Sequence, residues 1–183
     1  MKPKICYTAA AHLVHQGKIL LIKHKKFKQW LGPGGHIDEN ELAHETAVRE
    51  FMEETGLQVK IVSAYDDLSG QATGADDLFH PMPFAVNEHW VCRANYEERQ
   101  KAVEQNLPFI PDKQWSKGCE KHFNFSYLAK LVGPLEIKPA AGESKEVRFF
   151  TLEELEGSYR SELASSIFAE VKQAFELAKS FHS

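Results

Sequence analysis

The chain has 183 residues, of which 43% are hydrophobic and 26% charged, and a formal net charge of −4. That length buries a sizeable core, roughly 70% of the unfolded surface for about 150 residues, and suits one domain with an elaborated loop or tail. The acidic balance excludes a global basic field for nucleic acid, so phosphate chemistry here must be local, through a metal ion or a small basic cluster.

In chain order, residues 5–15 are apolar and rich in small side chains and predict a buried strand. Gln16, Gly17 and Lys18 form a turn, and 18–24 predict a hairpin partner. A basic stretch, 23–28, runs into Trp30 and the loop signal Leu31-Gly32-Pro33-Gly34-Gly35. A helix is predicted over 41–55, with Gly56 as its stop. Residues 57–63 resume as a strand, 70–83 read as loop, 87–94 as a strand, 96–106 as a surface helix and 108–118 as loop. Phe123, Phe125 and Tyr127 alternate with His122, Asn124 and Ser126, the pattern of a half-buried strand over 121–131. A short strand follows at 145–150. Thr151 with Glu154 marks a capping box, and Leu163, Ile167, Val171, Ala174 and Ala178 give an amphipathic C-terminal helix over about 162–180. Strands interleaved with two substantial helices imply a layered α/β or α+β domain.

Cys6, Cys92 and Cys119 are widely spaced and form no CxxC pair, which suggests neither a zinc site nor a disulfide framework. No apolar run approaches the ~18 residues of a membrane span, and the start lacks a signal-peptide cleavage pattern. The expected setting is cytoplasmic, with neither membrane nor nucleic acid as partner.

The informative segment is 35–57. At about 100° per residue, Ala43, Ala47, Val48, Phe51 and Thr55 share the core-facing arc. Glu50, Glu53 and Glu54 cluster on an adjoining arc, where i, i+3, i+4 spacing stacks three carboxylates on neighbouring turns. A solvated acidic face is the bland explanation. Against it, Glu54 projects at the edge of the apolar arc, and the group sits near the helix C-terminus, where the macrodipole disfavours negative charge. A divalent cation resolves both difficulties, and hard oxygens on adjacent turns suit magnesium. Arg49, four residues from both Glu45 and Glu53, has the spacing to hold a carboxylate in place.

The same segment resembles a complete Nudix box: a glycine, five residues, a glutamate, seven residues, then Arg-Glu-apolar-any-Glu-Glu-any-Gly-apolar. Here it reads Gly35, Glu41 and Arg49-Glu50-Phe51-Met52-Glu53-Glu54-Thr55-Gly56-Leu57. The resemblance implies an α/β/α sandwich around a mixed sheet, and Mg2+ (or Mn2+ in its place) held by Glu50, Glu53 and Glu54, with the Gly35 carbonyl as a further ligand. It implies that Arg49 orients these groups and that Glu41 supports them from outside the metal shell. The activity implied is hydrolysis of a nucleoside diphosphate linked to another group, such as a nucleoside triphosphate, a nucleotide sugar or a dinucleotide. One domain over 1–183 is expected, with an insertion over about 66–118 relative to the family's compact pattern.

Outside the box, the water-activating base is sought at Glu53, Glu54, or a later loop carrying Glu143 and Glu146. Lys23 and its neighbours Lys25, Lys26 and Lys28 are candidates for phosphate contact, against solvated loop. Trp30 is a candidate for base stacking, against core packing, and His36 for phosphate contact, against loop packing. His122, Asn124 and Ser126 are candidates for the pocket wall, against a solvent-facing strand. The aromatics of 66–118, among them Trp90 and Trp115, offer further stacking surfaces, and a second copy of the chain is a candidate partner. Two rivals share the fold. A non-catalytic nucleotide-sensing module predicts a degraded box, and this box is intact. An isoprenoid diphosphate isomerase needs a cysteine and an acid across the pocket, and nothing in the sequence recommends Cys92 or Cys119 for that.

Overall fold

The computed structural model describes residues 1–63, 65, 68–72, 77–115, 117–142 and 146–180. Its first two strands, β1 (Ile5–His15) and β2 (Lys18–Lys23), form the predicted hairpin. The turn between them has positive φ at Gln16 (50°) and Gly17 (72°), whose twist matches that of the flanking strands. The glycine loop forms two short strands of its own, β3 (Trp30–Leu31) and β4 (Gly34–His36). Helix α1 (Ala43–Thr55) starts two residues later than predicted, because Leu42 is extended and acts as N-cap while Glu45 reaches back to its N–H at 2.9 Å. It ends where Gly56 turns left-handed at φ 76°.

Strand β5 (Val59–Val62) follows, then β6 (Ala85–Trp90), helix α2 (Arg93–Glu104) and a single 3₁₀ turn at Lys113–Trp115. The segment 66–118 thus carries a strand and a helix, and β6 stops at Trp90 because Cys92 already caps α2 through Asn95 N–H. β7 (Lys121–Leu131) has its predicted bounds. β8 (Val147–Phe150), α3 (Leu152–Glu156, with the capping box at Thr151) and α4 (Ser165–Lys179) complete the order.

The sheet runs β3-β2-β1-β7-β5, with β4 on β1, β6 on β7 and β8 on β2. β1 and β7 are parallel and the other pairings antiparallel, so the sheet is mixed. Alternation along its strands assigns one face to each helix. Ala9, Ala11, Leu13, Leu20, Tyr127 and Ala129 pack with Ala47 and Phe51 of α1. Ile19, Leu21, Leu128 and Phe150 pack with Val171, Ala174 and Phe175 of α4. The result is the α/β/α sandwich that the resemblance implies, with a fully buried side chain such as Phe51 contributing roughly 1.5–3 kcal/mol. No helix of the described residues is long and apolar enough to cross a membrane.

One expectation is overturned. Cys6 and Cys119 form a disulfide across a sequence separation of 113, with Cα atoms 5.7 Å apart. The parallel register sets Cys6 opposite His122, which delivers Cys119, just ahead of β7, to the side of Cys6. Linear spacing carries no trace of that pairing.

Candidate active site

Helix α1 presents its carboxylates to the glycine strand β4. Glu54 is 8% exposed and accepts the Gly34 N–H at 2.9 Å. Glu50 lies against Gly35, where a Cβ would stand 2.3 Å from the Glu50 Cδ. That close approach, rather than a left-handed φ, is what glycine at 35 permits. Glu53, on the next turn, is half exposed. Glu50 and Glu54 face one short stretch of backbone, Glu53 lies beside them near Arg49, and all three offer hard oxygen donors.

Arg49 organises the group. Its Nε and Nη2 donate to the two oxygens of Glu41 at 2.8 and 2.9 Å, its Nη1 donates to Glu50 at 2.8 Å, and its Nη2 donates to the His36 carbonyl at 3.2 Å. Glu53 lies 3.5 Å from Nη1. Glu45, the other partner that spacing allows, is occupied with the N-cap. The Arg49 hydrogen bonds, opposed by burial and helped by the Thr46 hydroxyl, hold the Glu41 carboxyl down at about 2. The same carboxylates raise the guanidinium above its ordinary value, so both partners are charged at any working pH. An orienting role for Arg49 predicts that Arg49→Ala lowers turnover about ten- to a hundredfold. Steady-state hydrolysis by the folded variant checks this, and a loss equal to that of a carboxylate variant counts against an orienting role.

On the α4 face, beyond β4, lies a cavity of about 500 Å³ whose wall includes Gly34, Gly35 and His36. One side is aromatic: Phe27 and Trp115 stand 5.2 Å apart, with the Lys26 ammonium 4.7 Å over the Trp115 ring. The floor is polar. Glu170 of α4 accepts from the Ser126 hydroxyl at 2.8 Å and from the Asn87 amide, and His12 Nε2 is 3.5 Å away. Thr8 donates to Asn124, and Asn124 to Ser126, each at 2.9 Å. Burial raises the Glu170 carboxyl, but its His12 and Ser126 partners outweigh that and hold it below its ordinary value.

Five histidines line the same space, His12 and four others. Burial first, then the neighbouring His36, His89 and His24, push His122 down to about 3, and burial with Lys26 and Lys25 takes His24 to about 4. His36 and His89 are lowered as well, chiefly by burial. The unfolded chain takes up these protons near pH 6.5, the folded chain at lower pH, and for His122 and His24 only at about 3 and about 4. The unfolded state therefore binds more protons throughout that window, and stability rises with pH across it. Glu41 adds a rise of the same sign, confined to the range below its ordinary carboxyl value. Thermal melting in metal-free buffer is expected to climb between about pH 4.5 and about pH 6.5, and His122→Phe to flatten the climb. A melting temperature that falls with pH over this interval contradicts the assignment.

The structure brings together Gly35, His36, His122, Glu41, Arg49, Glu50, Glu53 and Glu54 around β4. It sets three predicted residues elsewhere. Lys23 pairs with Glu162 and lies over Trp30, and Trp30 is 5% exposed, packs on Phe150 and donates to Glu162. Neither is in the cavity wall, where Lys26 is the lysine present. Glu146 is exposed at the head of β8, its carbonyl accepting the Lys23 N–H at 2.9 Å, and Glu143 lies outside the described residues. Glu170, Asn87 and His89 escaped the sequence reading. A signal existed for Glu170, a carboxylate beside Val171 on the apolar arc of α4.

The NUDIX domain family profile matches residues 7–115. The chain belongs to the Nudix hydrolase family. A Lactococcus lactis subsp. cremoris protein named "Probable DHNTP pyrophosphohydrolase" is 33% identical over 154 residues, 84% of this chain and 67% of its own length. A Bacillus subtilis protein, provisionally named an 8-oxo-dGTP diphosphatase, is 45% identical over 58 residues, 30% of this chain and 39% of its own. The crystal structure of a NUDIX-family hydrolase from Clostridium perfringens superposes with a TM-score of 0.69 at 26% identity, over 94% of this chain and 97% of that one. As a Nudix hydrolase the chain belongs to a family that uses divalent metal ions and small-molecule nucleotide substrates.

Proposed function

We propose that this Nudix hydrolase cleaves a pyrophosphate linkage in a nucleoside diphosphate joined to a further group, with Mg2+ as its ion. The observation that carries the reading is the two-sided use of β4. One side meets the carboxylates of Glu50 and Glu54, and the other forms the wall of a cavity with an aromatic side and a polar floor. Glu50, Glu53, Glu54 and the Gly35 carbonyl would hold the ion, and a purely oxygen donor set fits Mg2+ better than a thiophilic metal. When bound, the ion polarises phosphoryl oxygens and lowers the pKa of water.

The chain's own residues divide the remaining work. Arg49 fixes Glu50 and, through Glu41, the start of α1. Glu53, the most exposed of the three, receives the proton of the attacking water, with Glu146 as the alternative from the later loop. Phe27 and Trp115 stack the base, and Glu170, Asn87 and Asn124 read its edge. The names of the two curated relatives, a pyrophosphohydrolase and a diphosphatase, support the bond assigned.

Phosphate release across nucleoside triphosphates, dinucleoside polyphosphates, nucleotide sugars and ADP-ribose, with and without Mg2+, tests this. Added inorganic pyrophosphatase reveals pyrophosphate, and alkaline phosphatase reveals monoester products. Mg2+-dependent cleavage of one class well above the rest is expected. Tight nucleotide binding with no cleavage across the panel would replace hydrolysis with sensing.

A further inference from the structure

The disulfide sits on the cavity face of the sheet, beside the box but apart from its carboxylates. Cys6 is opposite His122 across the parallel pair, and His36 is opposite Thr8, one pleat along from Cys6. The side chains of Cys6, His36 and His122 therefore emerge on one face. The sulfur of Cys119, a residue 2% exposed, lies 3.3 Å from His36 Nε2. Among the described residues, Cys6, His36 and Cys119 are the one trio whose ligand-type atoms all lie within 4.8 Å of one another. His122 packs edge-on against His36 at 4.9 Å between ring centroids, and its buried Nε2 has no hydrogen-bond partner.

We propose that Cys6, Cys119 and His36 form a redox-gated zinc site, with His122 beside the fourth position. Two thiolates and an imidazole are a donor set for Zn2+, and the usual Zn–S and Zn–N bond lengths put such ligand atoms roughly 3–4 Å apart. The box carboxylates, all hard oxygen, are a set for Mg2+, so the two sites select different metals. The gate is the sulfur–sulfur bond. An external dithiol reduces it: the Cys6–Cys119 bond breaks, a new disulfide forms in the reductant, and two electrons and two protons pass to the protein sulfurs. Zn2+ then displaces the two thiol protons, which leave to buffer. In the oxidised protein both sulfurs are spent on each other and no metal binds. His36 directly follows Gly35, and its carbonyl accepts from Arg49, so the zinc site abuts the hydrolytic one.

The test uses Co2+ as a spectroscopic probe, with excess Mg2+ present to fill the carboxylate site. Wild-type protein is compared as isolated in the disulfide form and after dithiol reduction and anaerobic removal of the reductant. The reduced form is expected to develop the visible bands of tetrahedral cobalt and a sulfur-to-cobalt charge-transfer band, saturating at one equivalent and displaced by Zn2+. The disulfide form is expected to show neither. Cys6→Ser and Cys119→Ser should each weaken the charge-transfer band, the double variant should abolish it, and His36→Ala should weaken cobalt binding at least tenfold. Absence of charge transfer in reduced wild type overturns the proposal without reference to any variant's folding, and so does a band that persists in the Cys6→Ser, Cys119→Ser double variant, where Cys92 is the one cysteine left. Because the readout is absorbance, failure here leaves the hydrolytic reading intact, and failure of hydrolysis leaves this one.

Discussion

Glu54→Gln and Glu53→Gln are each expected to lower turnover by about a hundredfold or more while the protein melts at or above the wild-type temperature. The two halves have separate causes. A glutamine at 54 keeps an oxygen that accepts the Gly34 N–H, so the tie between α1 and β4 survives. Both residues sit in the last turn of α1, which has no basic residue, so removing their charge relieves an unfavourable interaction with the helix dipole of some tenths of a kcal/mol. Glu54 is also largely buried, where an ionised carboxylate costs more than an amide. A residue that weakens the fold and resists replacement by its neutral isostere is held by function. Thermal melting together with hydrolysis rates at saturating Mg2+ separates the two. A folded Glu54→Gln protein with near-normal turnover would remove Glu54 from the metal shell.

How far the chain could be read in advance follows from the range of the interactions involved. The bounds of β1 and β7, the stop at Gly56 and the capping box at Thr151 depend on neighbours within a turn or a pleat, and periodicity exposes them. The box is equally local, since its glutamates and Arg49 share one helix. The cavity is not. Asn87 meets Asn124, and His89 meets His122, only through the register of β6 on β7. Glu170 reaches Ser126 and Asn87 because α4 crosses that face. The Cys6–Cys119 bond depends on one parallel pairing, which no linear pattern announces. Lys23 shows the converse, where nearness in sequence is a poor guide to place. It precedes the first residue of the glycine strand by 11 residues, yet its pairing with Trp30 across β2 and β3 directs it to Glu162, and Lys26 faces the cavity instead.

The glycines of β4 separate function from stability most sharply. At Gly35 the atoms nearest an added methyl are those of the Glu50 carboxylate, the far end of a flexible side chain. Glu50 can swing aside at little cost to the fold, but it then leaves Arg49 and the place assigned to the ion. At Gly34 the same methyl stands 2.4 Å from the Ala9 carbonyl oxygen and 2.7 Å from the Ala10 Cα, backbone of the central strand that cannot yield. Gly34→Ala must therefore disrupt β1·β4 pairing, at a cost of about 1–3 kcal/mol or more. Gly35→Ala is expected to melt within a few degrees of wild type and to lose at least about tenfold in turnover, since a small displacement of an aligned group is costly to catalysis. Gly34→Ala is expected to lose stability first. Denaturant midpoints and hydrolysis rates of the two variants, measured side by side, decide the matter. If Gly35→Ala keeps full activity, the carboxylate that it displaces does not hold the ion, and Glu50 loses its assigned role even if Glu53 and Glu54 keep theirs.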